Sequence, residues 1–440
     1  MAFRLPMSVP ASLLAASLSL PAASFARHTP RTDPGGDQKH RFSNELTGSA
    51  STHKGLRLKL VTDLGNVHIH TGEAEQVSYR VRIEADSSDA ETKKLFSVSL
   101  HATPDGVMLR GAAARHEAEG QLWVTFDVNV PREYSLDVST DAGNVQVDDI
   151  AGRVNLSTAG GNINLGNVDG TARAETAGGH ITAHDVSGDL IASTAGGHIT
   201  SGRIGGAATL KTGGGHIRVG SVGGIGRFET GGGNIYVERA GAELTSDTGG
   251  GQIEIGEVSG SIRGRTGGGG IRVARVAGPT HLETGGGSIY LTQVQSAVRA
   301  STGAGGITAW FGPDLKLTGN SQLESGEGDI VVYLPKEMPV TIDAQIALGD
   351  EHHFVADPAF PLKIVYVGRE GARAVRAEGN LNGGGALLRL RTVAGNIRLV
   401  LSDTCTQLQK QAYQQQMEQL QRQLKAALAP KPDKPGKPDN

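Results

Sequence analysis

The sequence predicts an all-β fold: a glycine-rich parallel β-solenoid with 18-residue coils, flanking β regions and a C-terminal helix. Three observations predict it. Threonines at 140, 158, 176, 194, 212, 230, 248, 266, 284 and 302 give ten starts spaced by eighteen without an insertion. The fifth residue after each start is Val145 and then isoleucine at 163, 181, 199, 217, 235, 253, 271, 289 and 307. Finally, 64 of the 440 residues are glycine and only 4% are aromatic, so small, regularly placed side chains must do the packing.

The first element in chain order is "MAFRLPMSVPASLLAASLSLPAASFARHTP", with one arginine, an apolar run around Leu13 to Leu20, and a small-x-small pattern ending at Ala26. It reads as a secretory signal over 1–26, because the run is too short and too broken by Pro10 and Pro21 to anchor in a bilayer. Residues 27–54 read as a flexible mature N-terminus. Residues 55–139 read as an N-terminal β region or cap, since "LRLKLVTDLGNVHIHTG", "SYRVRIEA", "FSVSLHA", "GVMLRGAA" and "QLWVTFDVNVP" alternate as strands do. "DSSDAETKKLF" is the one helix candidate there, and "TDLGNVHI" is a remote copy of the repeat.

Within the repeats, 140–312, the fifth, seventh and tenth residues after each threonine are mostly apolar, and so are the fourteenth and sixteenth. Each alternation has a period of two, the mark of a strand. Two strands and two turns in eighteen residues make one solenoid coil, pairing with its copies on either side. About five inward side chains at roughly 1.5–3 kcal/mol each cannot offset roughly 1–2 kcal/mol of backbone entropy per residue. A single coil would therefore unfold, and the stack is obligatory. The pairs Gly160/Gly161, Gly178/Gly179, Gly196/Gly197 and Gly214/Gly215 are expected to form the turns, through left-handed backbone geometry that side-chain-bearing residues resist.

After a loop near Pro313 to Gln322, residues 313–401 form a C-terminal β region, in which Thr392 to Ile397 repeat the motif once more. Residues 402–428 are a Gln-rich helix with Tyr413, Met417, Leu420, Leu424 and Ala427 at alternating spacings of four and three. That seam suits either a helix docked over the last coil or self-association through the helix. Residues 429–440, "APKPDKPGKPDN", are expected to be a disordered tail. The single Cys405 cannot form an internal disulfide.

A net charge of −3, with acids and bases interspersed, offers no basic patch and argues against nucleic acid. No segment after the signal is long and apolar enough to be an integral membrane span. There is no P-loop, GxSxG elbow, HExxH or calcium-repeat pattern, and no cofactor is implied. His180, His198 and His216 occupy one position in three successive coils and are candidate metal ligands. Asn144, Asn162, Asn234, Gln252 and Ser288 hold that position elsewhere, which suits a polar turn residue bonding to the backbone. Outward carboxylates are scattered. Only Glu229 and Asp247 are neighbours, with Arg265 next in line, and rows such as Arg239, Glu257, Arg275 read as charge ladders.

The stretches "LKLVTDLGNVHIHTG", "VPREYSLDVSTDAGNVQVDDIAGRVNLSTAGGNINL", "YLPKEMPVTIDAQ" and "VAGNIRLVL" resemble the bacterial putative-adhesin domain family, over about residues 56–401. The resemblance implies a secreted or periplasmic, adhesin-like, non-catalytic solenoid with no catalytic residues to carry over. Its expected partner is an envelope or extracellular polymer or protein. The alternative is a carbohydrate-active solenoid enzyme.

Overall fold

Each eighteen-residue unit becomes a coil because it carries two inward alternations separated by corners. In the unit starting at Thr212, Ile217, Val219 and Val222 point inward from the strand Ile217–Val222, and Phe228 does so from Gly226–Thr230. All four are at most 2% exposed. Each strand then pairs in parallel with its counterpart one unit on, Ile217 with Ile235 and Gly226 with Leu244. The units thus stack as a parallel β-solenoid of two facing sheets around one continuous apolar core. The first sheet, of 17 strands, collects the isoleucine strands; the second collects the strands that end on threonine.

The computed structural model describes residues 42–85, 95–114, 122–312, 317, 319–369, 373–402 and 406–429, all within one unit, Arg41–Asn440. The expected signal segment, residues 86–94 of the helix candidate 86–96, Cys405 and the tail beyond residue 429 lie outside the described residues, and Phe96 begins the strand Phe96–Thr103.

Both ends of the stack are assembled out of sequence order. The coil made by Arg57–Thr62 and Asn66–Gly72 lies between two later ones: Leu58 faces Leu136 on one side and Val107 on the other. At the far end the last coil, Leu387–Ala394 with Ile397–Leu401, slots between two earlier ones. There Leu388 faces Ser321 and Ile342, and Ile397 faces Ile330 and Phe354. The two remote motif copies therefore sit in register, with Thr62 opposite Thr140 and Thr392 opposite Ser325.

Antiparallel strands finish the edges. Phe42–Ser51 pairs with Gln76–Ala85, and Ala374–Leu381 lies between Val340–Ile346 and Lys363–Val367. The first of these corrects the expectation of a flexible 27–54 over residues 42–51; residues 27–41 lie outside the described residues. Leu46 and Ala50 pack against the core while their polar neighbours face out, so an edge strand here reads in sequence as loop.

The first sheet changes character along the stack. Its strands in the early coils, Val145–Val147, Ile163–Leu165 and Ile181–Ala183, have three residues each, whereas Ile199–Ile204 and its successors through Ile289–Val294 have six. Against the outer face of those longer strands lies helix α1, Thr406–Leu428. Its seam covers the flank of the middle coils, with Met417 and Leu420 buried, and not the last coil as expected. Among the described residues no helix is long and apolar enough to cross a membrane.

Candidate functional site

Three outward features could meet a ligand: the corners, the outer face of the second sheet and the outer face of the first. The corners are occupied by the fold itself. Thr176 Oγ1 donates to the Gly161 carbonyl at 2.8 Å and accepts the Gly179 N–H at 3.2 Å, so one buried hydroxyl ties two coils together. The same clamp recurs at Thr194, Thr212, Thr230 and onward to Thr302. The second glycine of each pair is demanded by this stacking. A Cβ on Gly161, Gly179, Gly197 or Gly215 would overlap the carbonyl oxygen of the corner one coil earlier. Gly160, Gly178, Gly196 and Gly214 have open space or a contact no closer than 3.9 Å. None of the eight has a left-handed φ. The expected reason for the pairs is thus corrected: the closeness of the next coil, and not the reversal of the chain, requires glycine at the second place.

Immediately after each pair runs a polar ladder. His180 Nδ1 accepts the His198 backbone N–H at 2.9 Å, His198 Nδ1 accepts that of His216 at 2.8 Å, and His216 Nδ1 that of Asn234 at 2.9 Å. Asn162 and Asn234 do the same with their amide oxygens. The histidine rings stack nearly parallel, with centroids 4.9 Å apart. Parallel rings whose Nδ1 atoms are already engaged do not converge on one ion, so His180, His198 and His216 act here as backbone acceptors. Burial, then the nearby Arg218, holds His216 below the usual histidine range.

On the second sheet, Glu229, Asp247 and Arg265 are brought together as sequence neighbours in register, in an open trough of about 480 Å³ with Lys211. The outer charges pair along the row, Lys211 with Glu229 at 2.8 Å and Arg265 with Glu283 at 3.2 Å. Asp247 lies between them, and its Oδ1 is buried without a partner among the described residues. Burial pushes its carboxyl up, against the pull of Arg265. Ladders also cross the first sheet, Arg272 with Glu254 at 3.3 Å and Arg239 with Glu257 at 3.7 Å.

Two features of the first sheet were missed in the sequence. The eighth residue after the threonine runs Gly202, Gly220, Glu238, Gly256, Ala274 and Thr292 through the middle coils, a mostly small and wholly buried column beside α1. A Cβ on Gly220 would meet both the Gly202 carbonyl oxygen and Leu424 at 2.9 Å, and one on Gly256 would meet the Glu238 carbonyl oxygen at 2.3 Å and the Met417 sulfur at 2.6 Å. Polar contacts pin the helix beside this column: Tyr413 donates to Glu257, Gln421 to Glu238 at 3.1 Å, and Gln416 to the Ile255 carbonyl at 3.1 Å. Burial and the Glu257 carboxylate push the Tyr413 phenol up to about 12.

The second missed feature lies where the helix stops. In the early coils the column reads Asp148, Gly166, His184, and the strand breaks there. Side-chain oxygens then carry the coil-to-coil bonding, with Asp149 accepting the Asn167 N–H at 2.6 Å and Asp185 the Arg203 N–H at 2.8 Å. Between this uncovered face and the helix end, Ala426–Ala429, is a cleft of about 970 Å³. Regular use of glycine and threonine throughout the repeat hid both features, since their signal is a change of residue at one position in eighteen.

The fold makes this chain a parallel β-solenoid protein. No family model matches it, and no curated protein does. Among solved structures it is similar to a putative cell adhesion protein from Clostridium sporogenes, at 10% identity and TM-score 0.16, covering 81% of this chain and 100% of that one. It is similar also to a putative adhesin from Bacteroides fragilis, at 11% identity and TM-score 0.23, covering 66% of this chain and 96% of that one. A third, a putative adhesin from Parabacteroides distasonis, has 12% identity and TM-score 0.22, with 66% and 97% covered. These descriptions agree with the resemblance seen in the sequence. With TM-scores this low they lend the chain neither a site nor a ligand.

Proposed function

We propose that this chain is a non-catalytic, adhesin-like binding scaffold of the cell envelope or its surroundings, presenting a repetitive surface to an extracellular or envelope polymer. The observation that carries this reading is the pairing of outward charges from coil to coil, in Lys211–Glu229, Arg239–Glu257, Glu254–Arg272 and Arg265–Glu283. Hydrolysis of a glycosidic bond needs two carboxyl groups held on either side of that bond, one of them kept protonated. Carboxylates neutralised in a row by their neighbours are poorly suited to that work and well suited to keeping a long face rigid. The N-terminal signal-like segment supports placement beyond the inner membrane, secreted or periplasmic.

One observation favours a second reading, a carbohydrate-active enzyme: Asp247, unpaired and raised by burial, sits between Glu229 and Arg265. Incubating the purified chain with an array of glycans and envelope polymers separates the two. Retention without shortened products is the expected outcome. Product release that disappears in Asp247→Asn would establish the enzyme instead.

A further inference from the structure

The outward row beside the long cleft changes chemical character along the stack. Six residues after the threonine, successive coils carry Gln146, Asn164, Thr182 and Thr200, in register across parallel strands. The row then turns charged and aromatic at Arg218, Tyr236 and Glu254. Those later residues satisfy one another or the helix: Arg218 lies over the Tyr236 ring at 5.3 Å, and Glu254 pairs with Arg272. The early four do not. Among the described residues, none hydrogen-bonds the side chains of Gln146, Asn164, Thr182 or Thr200.

The neighbouring carboxylates are already committed, Asp149 to Asn167 and Asp148 to His70 at 3.0 Å. What remains on offer is therefore a line of uncharged groups that both donate and accept, open at Gln146, Asn164 and Thr182 and ending at the buried Thr200, repeated at the strand spacing of ~4.8 Å. One wall is the last turn of α1, where the final carbonyls of a helix lack intrahelical partners and accept.

From this we infer that the cleft is a binding groove for a neutral, hydroxyl-rich glycan chain, lying across the strands so that successive sugars meet successive coils. The match is one of period and of charge. A pyranose unit is about as long as the ~4.8 Å strand spacing, so the same hydroxyl-to-amide or hydroxyl-to-hydroxyl contact can recur from coil to coil. A polyanion would meet the carboxylates of Asp148 and Asp149 and no lysine; Arg218, at the inner end, is the one arginine of the lining, beside the rings of His180, His184 and His198. A folded protein partner would want a central aromatic or aliphatic pocket, and the row offers none. This inference rests on the scaffold reading and assigns it a site and a ligand class.

The test is binding of the full-length chain to immobilised neutral glucans, galactans and mannans, beside polyanionic polysaccharides and a peptide array. Two variants at the groove, Gln146→Ala combined with Asn164→Ala and, separately, Thr182→Glu, are compared with Glu229→Gln on the opposite sheet. All four positions face outward, and thermal melts verify that each variant is folded. The expected result is binding to at least one neutral polysaccharide, weakened about tenfold or more in the double variant, as the loss of two hydrogen bonds implies, weakened also in Thr182→Glu, which puts a longer charged side chain in the groove, and unchanged in Glu229→Gln. Neutral-glycan binding that both groove variants retain in full would overturn the groove while leaving the scaffold. Binding only to polyanions or to peptides would overturn the ligand class, and binding to no probe at all would remove the scaffold reading with it.

Discussion

The early coils, through Ala183, and the middle coils, from Ile199 to Val294, are built on one eighteen-residue frame, yet they present different outer faces. In the middle coils the eighth position is mostly glycine or alanine, with Glu238 and Thr292 as the exceptions; the strand is six residues long throughout, and a helix lies down on it. In the early coils Asp148, Gly166 and His184 occupy that place, the strand stops after three residues, and side-chain oxygens of Asp149, Asn167 and Asp185 take over part of the coil-to-coil bonding. The core is indifferent to the change: Ile163, Ile181, Ile217 and Ile253 are all at most 1% exposed. A repeat can thus hold its interior constant while its outward face changes from one group of coils to the next.

The largest effect should come from breaking what the two regions share. Gly197→Ala or Gly215→Ala drives a Cβ into the preceding corner and is expected to lower stability by about 3–5 kcal/mol, whereas Gly196→Ala should stay within about 0.5 kcal/mol. Urea denaturation of the three variants measures this, and equal losses at 196 and 197 would show that the stacking contact is not what selects glycine. Next in size is a change confined to the covered coils. Gly256→Leu removes the seat of Met417 and is expected to cost about 2–4 kcal/mol and release α1 to protease, while Gln146→Leu on the uncovered coils should change protection little.

Sharper still is a change confined to the early coils. Asp149→Ala leaves the Asn167 amide without its acceptor, for a loss of about 1–2 kcal/mol, visible as faster hydrogen exchange there with the middle coils unaffected. The smallest effect should be that of pH. Because His216 is held below the ordinary value of 6.5 in the folded chain, the unfolded chain takes up the proton first. Its contribution to stability is therefore complete above the unfolded value and lost as the pH falls from there through the folded value. His216→Asn keeps a backbone acceptor without the titration, so it should flatten that part of the pH profile while leaving neutral-pH stability near that of the parent chain.

How far the sequence can be read follows from where each cause lies. The inward positions five, seven, ten, fourteen and sixteen were legible because burial selects aliphatic residues within a single unit, and the coil register followed from their recurrence. The histidine ladder was legible as polar turn chemistry because asparagine and glutamine take its place in other coils. The reason for the second glycine was not, because the atom it avoids belongs to a residue eighteen positions earlier. Nor was the order of the end coils, since "TDLGNVHI" announces a coil without saying which two coils will flank it. The strand Phe42–Ser51 escaped notice because an edge strand buries only alternate small residues. The groove row, Gln146 to Thr200, has no pattern of its own and stands out only against the face that α1 covers.

The late insertion of the last coil sets a timetable for synthesis. Residues 340–356 can pair with 374–381 as an antiparallel edge, yet they have no parallel neighbour in the stack until 387–401 arrive to lie between them and 321–334. A chain emerging N-terminus first therefore carries an open parallel edge at Ile330–Leu334 until nearly its whole length has left the ribosome. The helix that shelters the middle coils comes later still. Nascent chains stalled before residue 387 should accordingly be adhesive to one another in a way that the finished molecule is not, and a chaperone that guards exposed strand edges would have its work concentrated in those final moments of translation.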